Sequence, residues 1–135
     1  MVGRISHFRG VVGTTAVKVF GIYAARTGLS SIEAKRDGFR VLEAKIRGRF
    51  RAPYFEDDKP ATVKVLADAM SGRLLGAQIV GSEMAAARID TVATALTSGM
   101  RVDEAAQLDL AYTPPLGALW NPLLVAMNVL LRQLG

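Results

Sequence analysis

With 135 residues, half of them hydrophobic, and a net charge of +5, the chain suits one domain with a substantial core and is short for a complete two-substrate enzyme. It has no cysteine, which excludes disulfide staples, thiolate metal sites and any dithiol chemistry carried out by this chain alone. That usage also predicts a cytoplasmic protein.

Residues 1–9 are short and basic and lack the apolar core of a secretory signal, so none is expected. The single histidine, His7, lies there without a second histidine or cysteine and reads as solvated surface. Residues 11–25, with Val17, Val19, Phe20 and Ile22, predict one strand. Ser30 and Glu33 form a capping box, and Gly38 supplies a left-handed stop, so residues 31–37 predict a short helix.

From Phe39 the period switches to two. Leu42, Ala44, Ile46, Gly48 and Phe50 face one way, while Glu43, Lys45, Arg47 and Arg49 face the other, which predicts a half-buried strand. Residues 53–60, PYFEDDKP, read as a loop whose acids Glu56, Asp57 and Asp58 are solvated. Residues 62–67 and 73–80 predict a hairpin around 68–72, with Ser71-Gly72 at the turn. Ala85, Ile89, Val92 and Leu96 repeat at helical spacing up to Gly99, and a short helix is expected over 102–107. Strands first and helices afterwards give an α+β two-layer sandwich, mostly antiparallel, with helices packed on one side of the sheet.

The last helix restarts at Asn121, a capping residue, with Pro122 in its first turn and Trp120 placed to staple onto Val125. Residues 123–134, LLVAMNVLLRQL, are apolar on nearly every side and interrupted by Asn128 and Arg132. The run is short of the roughly 20 residues a membrane span needs, so it predicts a helix covered by protein.

No Gly-x-Gly-x-x-Gly opens a βαβ unit and no phosphate loop is present, so no dinucleotide fingerprint lies in this chain. No metal site is expected either. The cluster Arg40, Lys45, Arg47, Arg49 and Arg51 invites a nucleic-acid reading, but the alternation along one strand and the few aromatics favour a solvated sheet face. Part of that face could also steer an anionic substrate.

The segment that stands apart is 108–124, LDLAYTPPLGALWNPLL. Tyr112 sits two residues ahead of Pro114-Pro115, which fix φ twice and remove two backbone donors. On these residues alone, the phenol is either presented from stiff, non-helical chain or packed at the loop–helix junction with its hydroxyl on a carbonyl.

The segment resembles the C-terminal dimerisation (interface) domain of FAD-dependent pyridine nucleotide-disulfide oxidoreductases, in the coenzyme A-disulfide reductase and NADH oxidase branch. That branch carries an Ala-Tyr-x-Pro-Pro run followed by Trp-x-Pro-Leu. Further blocks keep the family's order: KVFGIYAARTGLS at 18–30, GRLLGAQIVGSE at 72–83 and RIDTVATAL at 88–96.

The resemblance implies that residues 1–135 are one interface domain, a piece of a larger flavoprotein whose FAD and NAD(P)H domains lie elsewhere, with Met1 near the end of the FAD domain. It implies that Tyr112 reaches the redox site of the partner subunit, with Tyr54 as a second donor from the aromatic pair Tyr54-Phe55. Three departures from the branch stand out: Phe55 has no hydroxyl, Leu116 replaces a common Phe, and Gly117 a common Ser. The His-Pro pair of glutathione reductase-like relatives is absent from the chain.

The implied partners are a second copy of the chain and the parent's FAD and NAD(P)H domains, with no nucleic acid and no membrane. The resemblance implies a parent that moves electrons from NAD(P)H through FAD to a disulfide, dioxygen or peroxide, while the chain alone is expected to bind neither cofactor and to be inactive. The expected dimer surface comprises Ile89, Val92, Leu96, Pro114, Pro115, Trp120, Leu123, Leu124, Met127 and Leu130. The competing readings are a free-standing homodimeric interaction module without enzymatic activity and, more distantly, a small nucleic-acid binder.

Overall fold

The computed structural model describes residue 8 and residues 10–55, 57 and 59–135. His7, Glu56 and Asp58 therefore lie outside the described residues, and so do the readings made of them.

Strands β1 (Thr15–Val19) and β2 (Ile22–Gly28) form an antiparallel hairpin where the sequence predicts a single strand. The turn between them is Phe20-Gly21, with φ of +46° and +80°. Two successive positive φ angles are what a tight two-residue hairpin requires. Phe20 is a rare occupant of that region, so composition did not mark the turn.

Helix α1 (Ser31–Arg36) begins as the capping box predicts. Glu33 N–H donates to Ser30 Oγ at 3.2 Å, and Ser30 N–H donates to Glu33 Oε2 at 2.7 Å. Strand β3 (Val41–Gly48) then runs with Ala44 buried and Glu43, Lys45 and Arg47 exposed, the alternation read from sequence. Strands β4 (Ala61–Asp68) and β5 (Leu74–Gly81) form the expected hairpin. At its turn the Asp68 carboxylate accepts from the Ser71 N–H at 3.0 Å and hydroxyl at 2.6 Å, which holds Asp68 below the usual carboxylate range.

The remaining elements are helical. The predicted 85–96 helix is broken at Arg88 into α2 (Glu83–Ala87) and α3 (Ile89–Thr97). Helix α4 (Val102–Ala105) is short, and α5 (Pro122–Leu134) closes the chain, with Asn121 Oδ1 accepting from Leu123 N–H at 3.0 Å. Trp120 does not close over the helix as a staple. It is 79% exposed and lines an open depression together with Val125.

The five strands form one antiparallel sheet in the order β1-β2-β5-β4-β3. Helices α2 to α5 cover one face, burying Ala44, Val63, Val65, Ala77 and Ile79 beneath Ile89, Val92, Leu123, Met127 and Leu130. On the opposite face, among the described residues, Ala34 of α1 meets Leu66 and Leu75 at one end. The architecture is the expected α+β sandwich, except that α1 departs from its fellow helices. Fixing α1 to the sheet, Lys64 Nζ bridges the Ser31 hydroxyl at 2.6 Å and the Glu43 carboxylate at 2.9 Å.

Candidate functional site

The two candidate tyrosines stand on loops remote in sequence, and the fold ties those loops together. Tyr54 lies between β3 and β4, and Tyr112 between α4 and α5. The loops meet at two successive carbonyls, and a third is held from the break between α2 and α3. Ala52 N–H donates to Pro114 O at 3.1 Å, Arg51 Nε to Pro115 O at 2.8 Å, and Arg88 Nη2 to Leu116 O at 2.6 Å. A Pro-Pro pair carries no N–H groups and can join a hydrogen-bonded framework only through its carbonyls. Here both are used.

The turn after the prolines is tight. Leu116 and Gly117 N–H both donate to Thr113 O, at 2.9 and 2.8 Å. Gly117 is buried, and a Cβ there would stand 2.8 Å from the carbonyl oxygen of Ala111. A serine at this position would therefore require the Ala111–Tyr112 backbone to shift.

Arg51 also organises the Tyr54 side. Its Nη1 donates to Asp57 Oδ2 at 2.8 Å, and its guanidinium lies 4.6 Å from the Phe55 ring centroid. The Phe55 ring in turn lies 4.9 Å from that of Tyr54. The cation–π contact and the charge-assisted hydrogen bonds make this one connected unit.

Both phenols are open to solvent. Tyr54 is 69% exposed and Tyr112 is 58% exposed, and among the described residues nothing hydrogen-bonds to the Tyr112 hydroxyl. Tyr112 is thus displayed, not packed on a carbonyl.

The expected surface residues divide sharply. Ile89, Val92, Leu123, Met127 and Leu130 are no more than 3% exposed in the single chain. They belong to its own core, which corrects the expectation that they meet a partner. The reason is geometric: α5 lies over β3 and β4, and one stripe of an all-apolar helix suffices to fill that interface. Leu96 is half-buried and packs against the same core. Pro115 and Trp120 remain exposed, while Pro114 and Leu124 are half-buried.

The outward surface of α5 and the loop before it carry Leu119, Trp120, Leu124, Val125, Asn128 and Arg132 around a depression of about 480 Å³. Leu119 and Trp120 are 74% and 79% exposed, and Leu116 nearby in the loop is also exposed. Tyr112 and this apolar surface share one short loop, and the Tyr54 loop is tied to it at Pro114 and Pro115.

Sequence reasoning missed Arg51 and Arg88. Arg51 was placed with the solvated basic face, yet its side chain is only 21% exposed. Lys45 and Arg47 do lie on the exposed face of β3, with Lys64 and Gln78 on the neighbouring strands. Among the described residues no group of acidic, histidine or cysteine side chains is arranged to hold a metal, and no helix is long and apolar enough to cross a membrane.

Comparison with known proteins identifies the domain. Residues 14–122 match the family described as pyridine nucleotide-disulphide oxidoreductase, dimerisation domain. The chain is 38% identical over 128 residues to the NAD(P)H coenzyme A polysulfide/persulfide reductase of Pyrococcus horikoshii, covering 95% of this chain and 28% of that protein. It is 31% identical over 108 residues to the coenzyme A disulfide reductase of Staphylococcus aureus, covering 80% of this chain and 24% of the relative. The solved NAD-dependent persulfide reductase from A. fulgidus superposes with a TM-score of 0.91 at 34% identity, over 97% of this chain and 24% of that one. The chain spans roughly a quarter of the length of the relatives it matches.

Proposed function

The chain belongs to the pyridine nucleotide-disulphide oxidoreductase dimerisation domain family, and from that premise we propose that it pairs with its own copy and lends Tyr112, together with Tyr54, to the redox site of the partner subunit. The parent activity we assign is NAD(P)H-dependent reduction of a sulfur–sulfur bond, as the names polysulfide/persulfide reductase and disulfide reductase of the similar proteins suggest, with FAD as the family resemblance implies. FAD and NAD(P)H are assigned to the rest of the parent. The antiparallel sheet has no βαβ crossover, and the sequence has no Gly-x-Gly-x-x-Gly to cradle a pyrophosphate.

The role of the phenol follows from acidity. Cleaving a disulfide leaves a thiolate that must gain a proton. A phenol has a pKa of about 10 and a thiol about 8.5, so complete transfer is uphill by about 2 kcal/mol. Tyr112 therefore stabilises the departing sulfur chiefly by donating a hydrogen bond. Transfer is completed as water reprotonates the phenolate.

The observation that carries this reading is the display of Tyr112. Its hydroxyl is open to solvent while the carbonyls of the three residues from Pro114 are all held. Rigid backbone with a free donor suits a group aimed at another molecule. The exposed Leu119-Trp120 surface at the start of α5 supplies the apolar area a second copy would cover.

The test is Tyr112→Phe in the flavoprotein that carries this chain. Turnover on a disulfide substrate should fall by about 10²-fold, with the sedimentation coefficient unchanged. Wild-type turnover would reduce Tyr112 to a structural residue, and a monomeric wild type would remove the partner.

A further inference from the structure

We infer that Arg51 is a positioning residue that sets Tyr54 and Tyr112 as one rigid pair, an inference that rests on the reading above that the two phenols serve a partner's site. The residue occupies the junction of everything that fixes them. Through Nε it holds the Pro115 carbonyl at 2.8 Å, three residues after Tyr112, and its own neighbour Ala52 holds Pro114 at 3.1 Å. Through Nη1 it grips Asp57 at 2.8 Å, and its flat face covers Phe55 at 4.6 Å, the ring against which Tyr54 leans. One guanidinium thus touches both loops at once.

The chemistry favours arginine specifically. The planar fork can donate along two directions in its plane while an aromatic ring stacks on its face. A lysine ammonium at the same place has no such plane. It can satisfy the Pro115 carbonyl or the Asp57 carboxylate, but it cannot also present a flat surface to Phe55.

The absence of a hydroxyl on Phe55, a departure from the related branch, acquires a use here. Phe55 offers Arg51 an apolar ring and leaves Tyr54 as the sole donor of that aromatic pair. Arg51 touches no reacting atom in this scheme. It acts through Pro115 on Tyr112 and through Phe55 on Tyr54.

The chain contains three tyrosines, so fluorotyrosine labelling gives three fluorine resonances. In the full chain, Arg51→Ala should shift the Tyr54 and Tyr112 resonances together and leave Tyr23 in place. Arg47→Ala, on the exposed face of β3, should move neither. Arg51→Lys should recover the Tyr112 resonance only in part, and it gives the readout if the alanine variant does not fold. Movement of one tyrosine alone, or of neither, overturns the inference.

A second readout separates positioning from general stability. In the flavoprotein that carries the chain, Arg51→Ala should lower kcat about tenfold, with little further loss in a Tyr112→Phe background. Independent, multiplying losses would overturn the coupling. Undiminished turnover in Tyr112→Phe alone would instead sink the proton-donor reading, while the fluorine result would still decide whether the pair is coupled.

Discussion

Arg88 donates from Nη2 to the carbonyl of Leu116 at 2.6 Å, joining the break between α2 and α3 to the loop that carries Tyr112. The helical pattern of 85–96 shows no glycine or proline at this point. The kink turns the Arg88 side chain toward the loop while Ile89 and Val92 stay in the core.

Arg88→Ala should cost about 1–2 kcal/mol, as expected for a partly exposed charge-assisted hydrogen bond. It should selectively speed amide exchange over residues 116–119. Urea unfolding and hydrogen exchange measure the two effects. Unaltered exchange in that loop would mean the bond does not restrain it.

Core and partner surface should separate by mutation. Leu123→Ala or Met127→Ala removes a fully buried side chain and should destabilise the chain by about 2–5 kcal/mol. Trp120→Ala should scarcely change unfolding but weaken self-association by about thirtyfold or more, the scale of an interface hot spot. Analytical ultracentrifugation across a dilution series checks the second expectation. Equal dimer strength in Trp120→Ala would move the interface away from the start of α5.

Gly28 should resist substitution. It has φ of +65°, and a methyl there would strike the Leu75 carbonyl and the Gly76 backbone directly across the strand pair. Gly28→Ala should cost at least about 2 kcal/mol, from the left-handed backbone and the collision together. A thermal melt within a degree of wild type would show that the β2–β5 seam can give way.

The capping box carries a pH signature. The Ser30 backbone N–H, then its hydroxyl, then Arg26 hold Glu33 down to about 2. Because the folded value is depressed below the ordinary 4.5, this contribution is complete above pH 4.5 and drains away as pH falls toward 2. A carboxyl NMR titration of Glu33 should have its midpoint near that low value, and Ser30→Ala should raise it. A midpoint of about 4.5 in the wild type would mean the box is open in solution.

Much of this was readable where local chemistry decides. Ser30 and Glu33 announced α1, the alternation from Leu42 announced β3, and Asn121-Pro122 announced the start of α5. These signals depend on neighbours within four residues. The β1–β2 turn was missed because Phe20 is not a residue that advertises positive φ. The inner stripe of α5 was misassigned for a different reason: Leu123 and Leu124 are the same residue type, and only the position of β3 and β4 decides which faces inward. The pairing of the tyrosine loops depends on Arg51 meeting Pro115, 64 residues along, and no periodicity encodes that.

The connection between β3 and β4 has a consequence for how the family's chemistry can vary. Strand pairing ends at Gly48 and resumes at Ala61, so neither register depends on the length of what lies between. Residues inserted after Asp57 would lengthen the outer part of this connection while the core and the Arg51 contacts stay as they are. The Tyr112 loop has no such licence, pinned at three carbonyls between two arginines. On the proposed reading, the outer part of the β3–β4 connection can diversify while the pinned loop keeps Tyr112 where it is.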